Sequence, residues 1–112
     1  MGVTVRLLGP VEVVQDGVCL PVRGRQERAV VARLGLDARR AVSVAEVSAA
    51  VWDEPPASAE ASVRVLVSRL RKAWLAERVD VLRTTPSGYS LDAPEVDASI
   101  FQSLVQQGRA EL

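Results

Sequence analysis

One stripe of apolar side chains constrains this chain more than any other feature. Val63, Leu66, Val67, Leu70 and Trp74 recur at the spacing of one helix face. Arg64, Ser68, Arg71 and, to the side, Arg69 and Lys72 occupy the remaining surface. Such a helix must lie against a core along one side and show cations on the other. Ser58 is placed to cap it, and Glu60 in the first turn suits the helix dipole.

The rest of the chain has to supply that core. With 112 residues, 48% of them apolar, it fits one compact domain and leaves no room for a second full one. Histidine is absent, which removes the usual acid–base group and the commonest metal ligand. The single cysteine, Cys19, permits neither an internal disulfide nor a thiolate cage, and is expected to be a small buried hydrophobe. A non-enzymatic module without metal or cofactor is therefore expected. No apolar run approaches the ~20 residues of a membrane span. The N-terminus lacks a basic segment followed by an apolar one, so no signal peptide and a cytoplasmic location are expected.

Ahead of the stripe the period is two. Val3, Val5 and Leu7 alternate with Thr4 and Arg6; Gly9-Pro10 interrupts, and Val11 to Val14 resumes. Asp16-Gly17 is a hairpin signal, and Val18 to Val22 reads as a third strand of an antiparallel meander. The period then becomes helical from Gln26 to Leu36, with Ala29, Val30, Val31 and Leu34 apolar. Ser43-Val44-Ala45-Glu46 forms a capping box opening a short helix that buries Val44, Val47 and Val51. Trp52 closes that helix, and Pro55-Pro56 imposes a loop, either a connector or a polymerase contact. Both Trp52 and Trp74 are expected in the core, because each completes an apolar stripe. Val81 to Thr85 and Gly88 to Leu91 flank Pro86-Ser87 as a hairpin, with Tyr89 packing inward. Asp97 opens a last amphipathic helix carrying Ile100, Phe101, Leu104 and Val105, stopped by Gly108.

Strands, three helices and a hairpin, in that order, predict an α+β fold: a winged helix-turn-helix with an N-terminal antiparallel sheet and a C-terminal hairpin wing. Formal charges cancel, 14 basic against 14 acidic, but unevenly along the chain. Residues 58–91 hold six cations and three carboxylates; residues 92–112 hold one cation and four carboxylates. The major groove admits one helix, and arginine suits bidentate contact with guanine. Two readings of the basic face stay open on the residues alone. It is either a DNA-reading surface or a solvated face, the latter also able to dock an acidic protein partner.

At these positions the chain resembles a known family. Val67-Ser68-Arg69-Leu70-Arg71-Lys72 and Gly88-Tyr89-Ser90-Leu91 look like the recognition helix and wing of OmpR-type domains. Leu8 to Val13, Gln26 to Val30 and Val51 to Pro56 narrow the match to the antibiotic regulatory proteins of actinobacteria, the SARP family. The resemblance implies a sequence-specific DNA-binding domain of a transcriptional activator, one that controls secondary-metabolite clusters. It implies binding as two copies on promoter direct repeats and recruitment of RNA polymerase with its sigma factor. Carried onto the matching positions, it puts Arg64, Val65 and Arg69 at base edges, with Ser62, Ser68, Arg71 and Lys72 nearer phosphates. Many OmpR-type wings place arginine directly after Gly-Tyr; here Ser90 stands there, leaving Arg83, Thr84 and Thr85 for phosphate contacts. The resemblance further implies a winged-helix domain over 1–92. Residues 93–112 would then be a linker and the first helix of an activation domain, in a fragment of a longer regulator.

Overall fold

The computed structural model describes residues 3–6, 11–15, 17–92 and the backbone of 95–96. Leu7, Gly9-Pro10, Asp16 and the expected helix from Asp97 to Gly108 lie outside the described residues. The elements are β1 (Val3–Arg6), β2 (Glu12–Gln15), β3 (Val18–Cys19), α1 (Gly24–Leu36) and β4 (Val42–Ser43). They continue with α2 (Val44–Val51), α3 (Ala59–Ala76), β5 (Leu82–Thr85), β6 (Gly88–Leu91) and β7 (Glu95–Val96). Apart from β4 and β7, which the sequence reading did not include, the order and types are those of the winged helix predicted from the sequence.

The first sheet has strand order β3-β2-β1-β7. β1 and β2 pair antiparallel with Val5 opposite Val13, which puts both valines into the core and leaves Arg6 beside Glu12 at the surface. Gly17 adopts φ +81° in the turn to β3, as an Asp-Gly hairpin requires. The meander is shorter than expected at its end. β3 stops at Cys19, because Pro21 has no N–H to donate to a ladder. The Leu20 N–H still reaches the Val13 carbonyl at 2.7 Å, and Pro21 turns its own carbonyl to the Trp74 indole N–H at 2.8 Å. Cys19 is exposed rather than buried, since β3 is a two-residue strand at the sheet edge and both of its residues are exposed. β7, inside the segment expected as a linker, adds a parallel strand beside β1.

The three helices pack on one another, with Val30, Val31, Leu34, Val47, Val51, Val63, Val67, Leu70 and Trp74 making their shared core. Ser43 caps α2 as the capping box predicts, its hydroxyl accepting from the Glu46 N–H at 3.1 Å. The reciprocal half is absent: the Glu46 carboxylate takes the Arg33 guanidinium at 2.9 Å, and Arg33 also holds Asp37. Ser58 stands at the start of α3 without a side-chain cap bond. Its carbonyl accepts from Ser62 N–H instead. Trp74 is buried, whereas Trp52, at the C-terminal cap of α2, is only half-buried and packs against the edge of the core.

The second sheet, β4-β6-β5, is the wing and its anchor. β5 and β6 form the predicted hairpin, with Tyr89 buried. β4, two residues long, pairs with β6 through Val42–Tyr89 and Ser43–Gly88. The strands approach so closely that a Cβ on Gly88 would overlap the Val42 carbonyl oxygen and lie 2.9 Å from the Ser43 Cα.

Candidate nucleic-acid interface

The buried stripe of α3 determines what faces away from the core. At 3.6 residues per turn the opposite side runs through Ala61, Val65, Ser68 and Lys72, all exposed. Val65 keeps 48% of its surface open although it is apolar, and no packing need accounts for it. Arg64 and Arg71 lie on the flank toward the wing. Ser62 and Arg69 lie on the other flank, where with Gln26 of α1 and Trp52 they line a shallow recess. Seven of the ten expected contact residues thus share one helix and one side of the molecule.

Their states differ. Arg69 and Lys72 form no hydrogen bond or ion pair among the described residues, so both guanidinium and ammonium are available to a ligand. Arg64 lies 3.7 Å from Glu60 with both side chains well exposed, a contact of little energy. Arg71 is half-buried and donates to the Thr84 hydroxyl at 2.8 Å, which joins α3 to the wing. Thr85 accepts from the Gly88 N–H at 3.0 Å and fastens the wing turn. Arg83 is held at 3.0 Å by Asp80 and at 3.7 Å by Asp92, and Asp92 also meets Arg39. The wing residues are therefore engaged within the protein, whereas α3 carries unpaired charge at Arg69 and Lys72. Ser90 is buried in β6 and does not reach the wing surface.

Sequence reasoning did not single out the start of α1. Arg23 and Glu27 come together with Arg69 and Lys72 around an open cleft. The signal that could have found it is local: Arg23, Arg25 and Arg28 cluster at a helix N-terminus, where the dipole disfavours cations. Among the described residues no group of histidine, cysteine or carboxylate side chains is arranged to hold a metal ion. No described helix is long and apolar enough to cross a membrane.

No protein-family model matches the chain. Among individual proteins, the transcriptional regulatory protein EmbR of Mycobacterium tuberculosis is 39% identical over 93 residues, 80% of this chain and 24% of EmbR. The transcriptional regulator RedD of Streptomyces coelicolor is 34% identical over 119 aligned positions, covering 98% of this chain and 34% of RedD. The regulatory protein AfsR of the same organism is 43% identical over 67 residues, 59% of this chain and 7% of AfsR. The solved structure of M. tuberculosis EmbR with a low-affinity phosphopeptide superposes with a TM-score of 0.77 at 36% identity. It aligns with 87% of this chain, which spans 27% of that one. The chain thus corresponds to a minor part of the length of each relative.

Proposed function

We propose, from the premise that this chain belongs to the SARP family of winged-helix transcriptional regulators, that it is the part of an activator that reads promoter DNA. The observation that carries the reading is the outward face of α3, where Arg69 and Lys72 stand unpaired beside Val65 and Ser68. In this reading α3 enters the major groove. Arg64, Val65 and Arg69 meet base edges, and Ser62, Ser68, Arg71 and Lys72 lie nearer the phosphates. Arg83, Thr84 and Thr85 support the backbone from the wing. Two copies occupy promoter direct repeats and recruit RNA polymerase with its sigma factor to a secondary-metabolite cluster, in the cytoplasm. The domain performs no chemistry and takes no cofactor.

Salt titration tests this directly. Binding to duplex DNA should weaken with salt at a slope of about −0.9 per phosphate neutralised. Duplexes recovered by footprinting genomic fragments should be preferred over scrambled ones. A domain with no measurable duplex affinity that instead captures an acidic protein would replace this reading with that of a docking module.

A further inference from the structure

We infer that the cleft between the start of α1 and the C-terminal half of α3 is a second DNA contact, in which Arg23 joins Lys72 around one backbone phosphodiester outside the base pairs read by α3, with Arg69 at the border between that phosphate and the reading face. The inference rests on the DNA-binding reading above and extends its footprint onto an element that reading does not use.

The cleft has a volume of about 620 Å³, room enough for a phosphate with its sugars, and is floored by Pro21 and Ala73. Three cations from two elements converge on it, Arg23 from α1's cap position and Arg69 and Lys72 from α3. None has an ion-pair or hydrogen-bond partner for its side-chain charge among the described residues. Their mutual repulsion is opposed by one carboxylate, Glu27, which is almost fully buried. Glu27 is itself occupied, accepting from the Arg23 backbone N–H at 2.9 Å. It thereby satisfies the N–H at the cap position of α1. An anion therefore belongs on the α3 side of the cleft, away from Glu27. Arg69 also lines the neighbouring recess against Trp52, so a strand lying in the cleft continues directly from the reading face.

The geometry demands effects of opposite sign from two neighbouring substitutions. Arg23→Gln keeps the backbone N–H that Glu27 binds and removes only an exposed charge. It should lower the salt slope by about one and weaken matched and mismatched duplexes by the same factor. Glu27→Gln keeps an oxygen acceptor for that N–H and removes the repelling charge, so it should tighten binding to both duplexes. Arg6→Gln, on β1 beside Glu12 and away from the cleft, should change neither. Ethylation interference should show one phosphate flanking the read bases whose modification blocks wild-type binding and no longer affects the Arg23→Gln protein. Thermal unfolding of each variant separates loss of contact from loss of fold. Wild-type protein lacking salt-sensitive duplex affinity would overturn both this inference and the reading beneath it. Wild-type protein that binds duplex, with an Arg23→Gln variant matching it in slope and interference pattern, would overturn the cleft alone.

Discussion

Trp74 concentrates more of the fold than any other side chain. It ends the α3 stripe, is the largest fully buried side chain among the described residues, and spends its indole N–H on the Pro21 carbonyl. Trp74→Ala should cost roughly 3–5 kcal/mol in denaturant unfolding. Trp74→Phe should cost less, through lost volume and the orphaned carbonyl. Two residues further on, α3 ends in a Schellman motif: Val79 N–H reaches the Trp74 carbonyl, Arg78 N–H reaches that of Leu75, and Arg78 takes φ +62°. A left-handed arginine is strained by about 1–2 kcal/mol, so Arg78→Gly should raise the melting temperature despite the added freedom of the unfolded chain. Trp74 was legible because periodicity reports burial. Cys19 was not, because an edge strand and a central one look alike over two residues, and only the pairing tells them apart.

At the scale of elements, the buried face of α3 was legible, though not the missing side-chain cap at Ser58, and so was the wing hairpin. β4 was not, since two residues show no period and its partner among the described residues lies more than forty positions away. The candidate site follows the same division. The cations of α3 could be placed on a face from spacing, but the Arg71–Thr84 bond and the pairing of Arg83 with Asp80 and Asp92 depend on where the wing folds back. Those differences set distinct outcomes. Arg69→Ala should cost about 1–3 kcal/mol of binding and relax preference at one base pair. Lys72→Ala should weaken every sequence alike and reduce the salt slope by about one. Thr84→Val removes the wing's bond to Arg71 and should raise the amide exchange rate of the hairpin. Competition isotherms on matched and mismatched duplexes, with exchange measured on the free protein, distinguish the three.

At the scale of the whole molecule, unpaired cations of α3 and of the start of α1 (Arg69, Lys72 and Arg23) line one cleft. One helix spans few base pairs, so a single domain should bind weakly and two should bind a tandem repeat together. Native mass measurement on a duplex with two repeats should show a doubly loaded species. Its dissociation should be slower than that of a single copy on one repeat. A tight single copy with no gain from the second repeat would contradict the arrangement. The cluster of cations at the start of α1 is visible locally, but its meeting with α3 is not, because that arises from packing between residues some forty-five positions apart.

The contact of Gly88 with Val42 has a mechanical consequence. Ser43 is at once the last residue of β4, the partner of Gly88 and the cap of α2. At Ser43 the sheet of the wing therefore passes into the first turn of α2 with no residue between them. Force applied to the wing by a bent or widened duplex is delivered to the first turn of α2 rather than absorbed in a linker. Hydrogen exchange should accordingly find the amides of Glu46 and of the β6 strand opening as one cooperative unit. Gly88→Ala, which drives a methyl group into the Val42 carbonyl, should uncouple that unit and loosen both halves together.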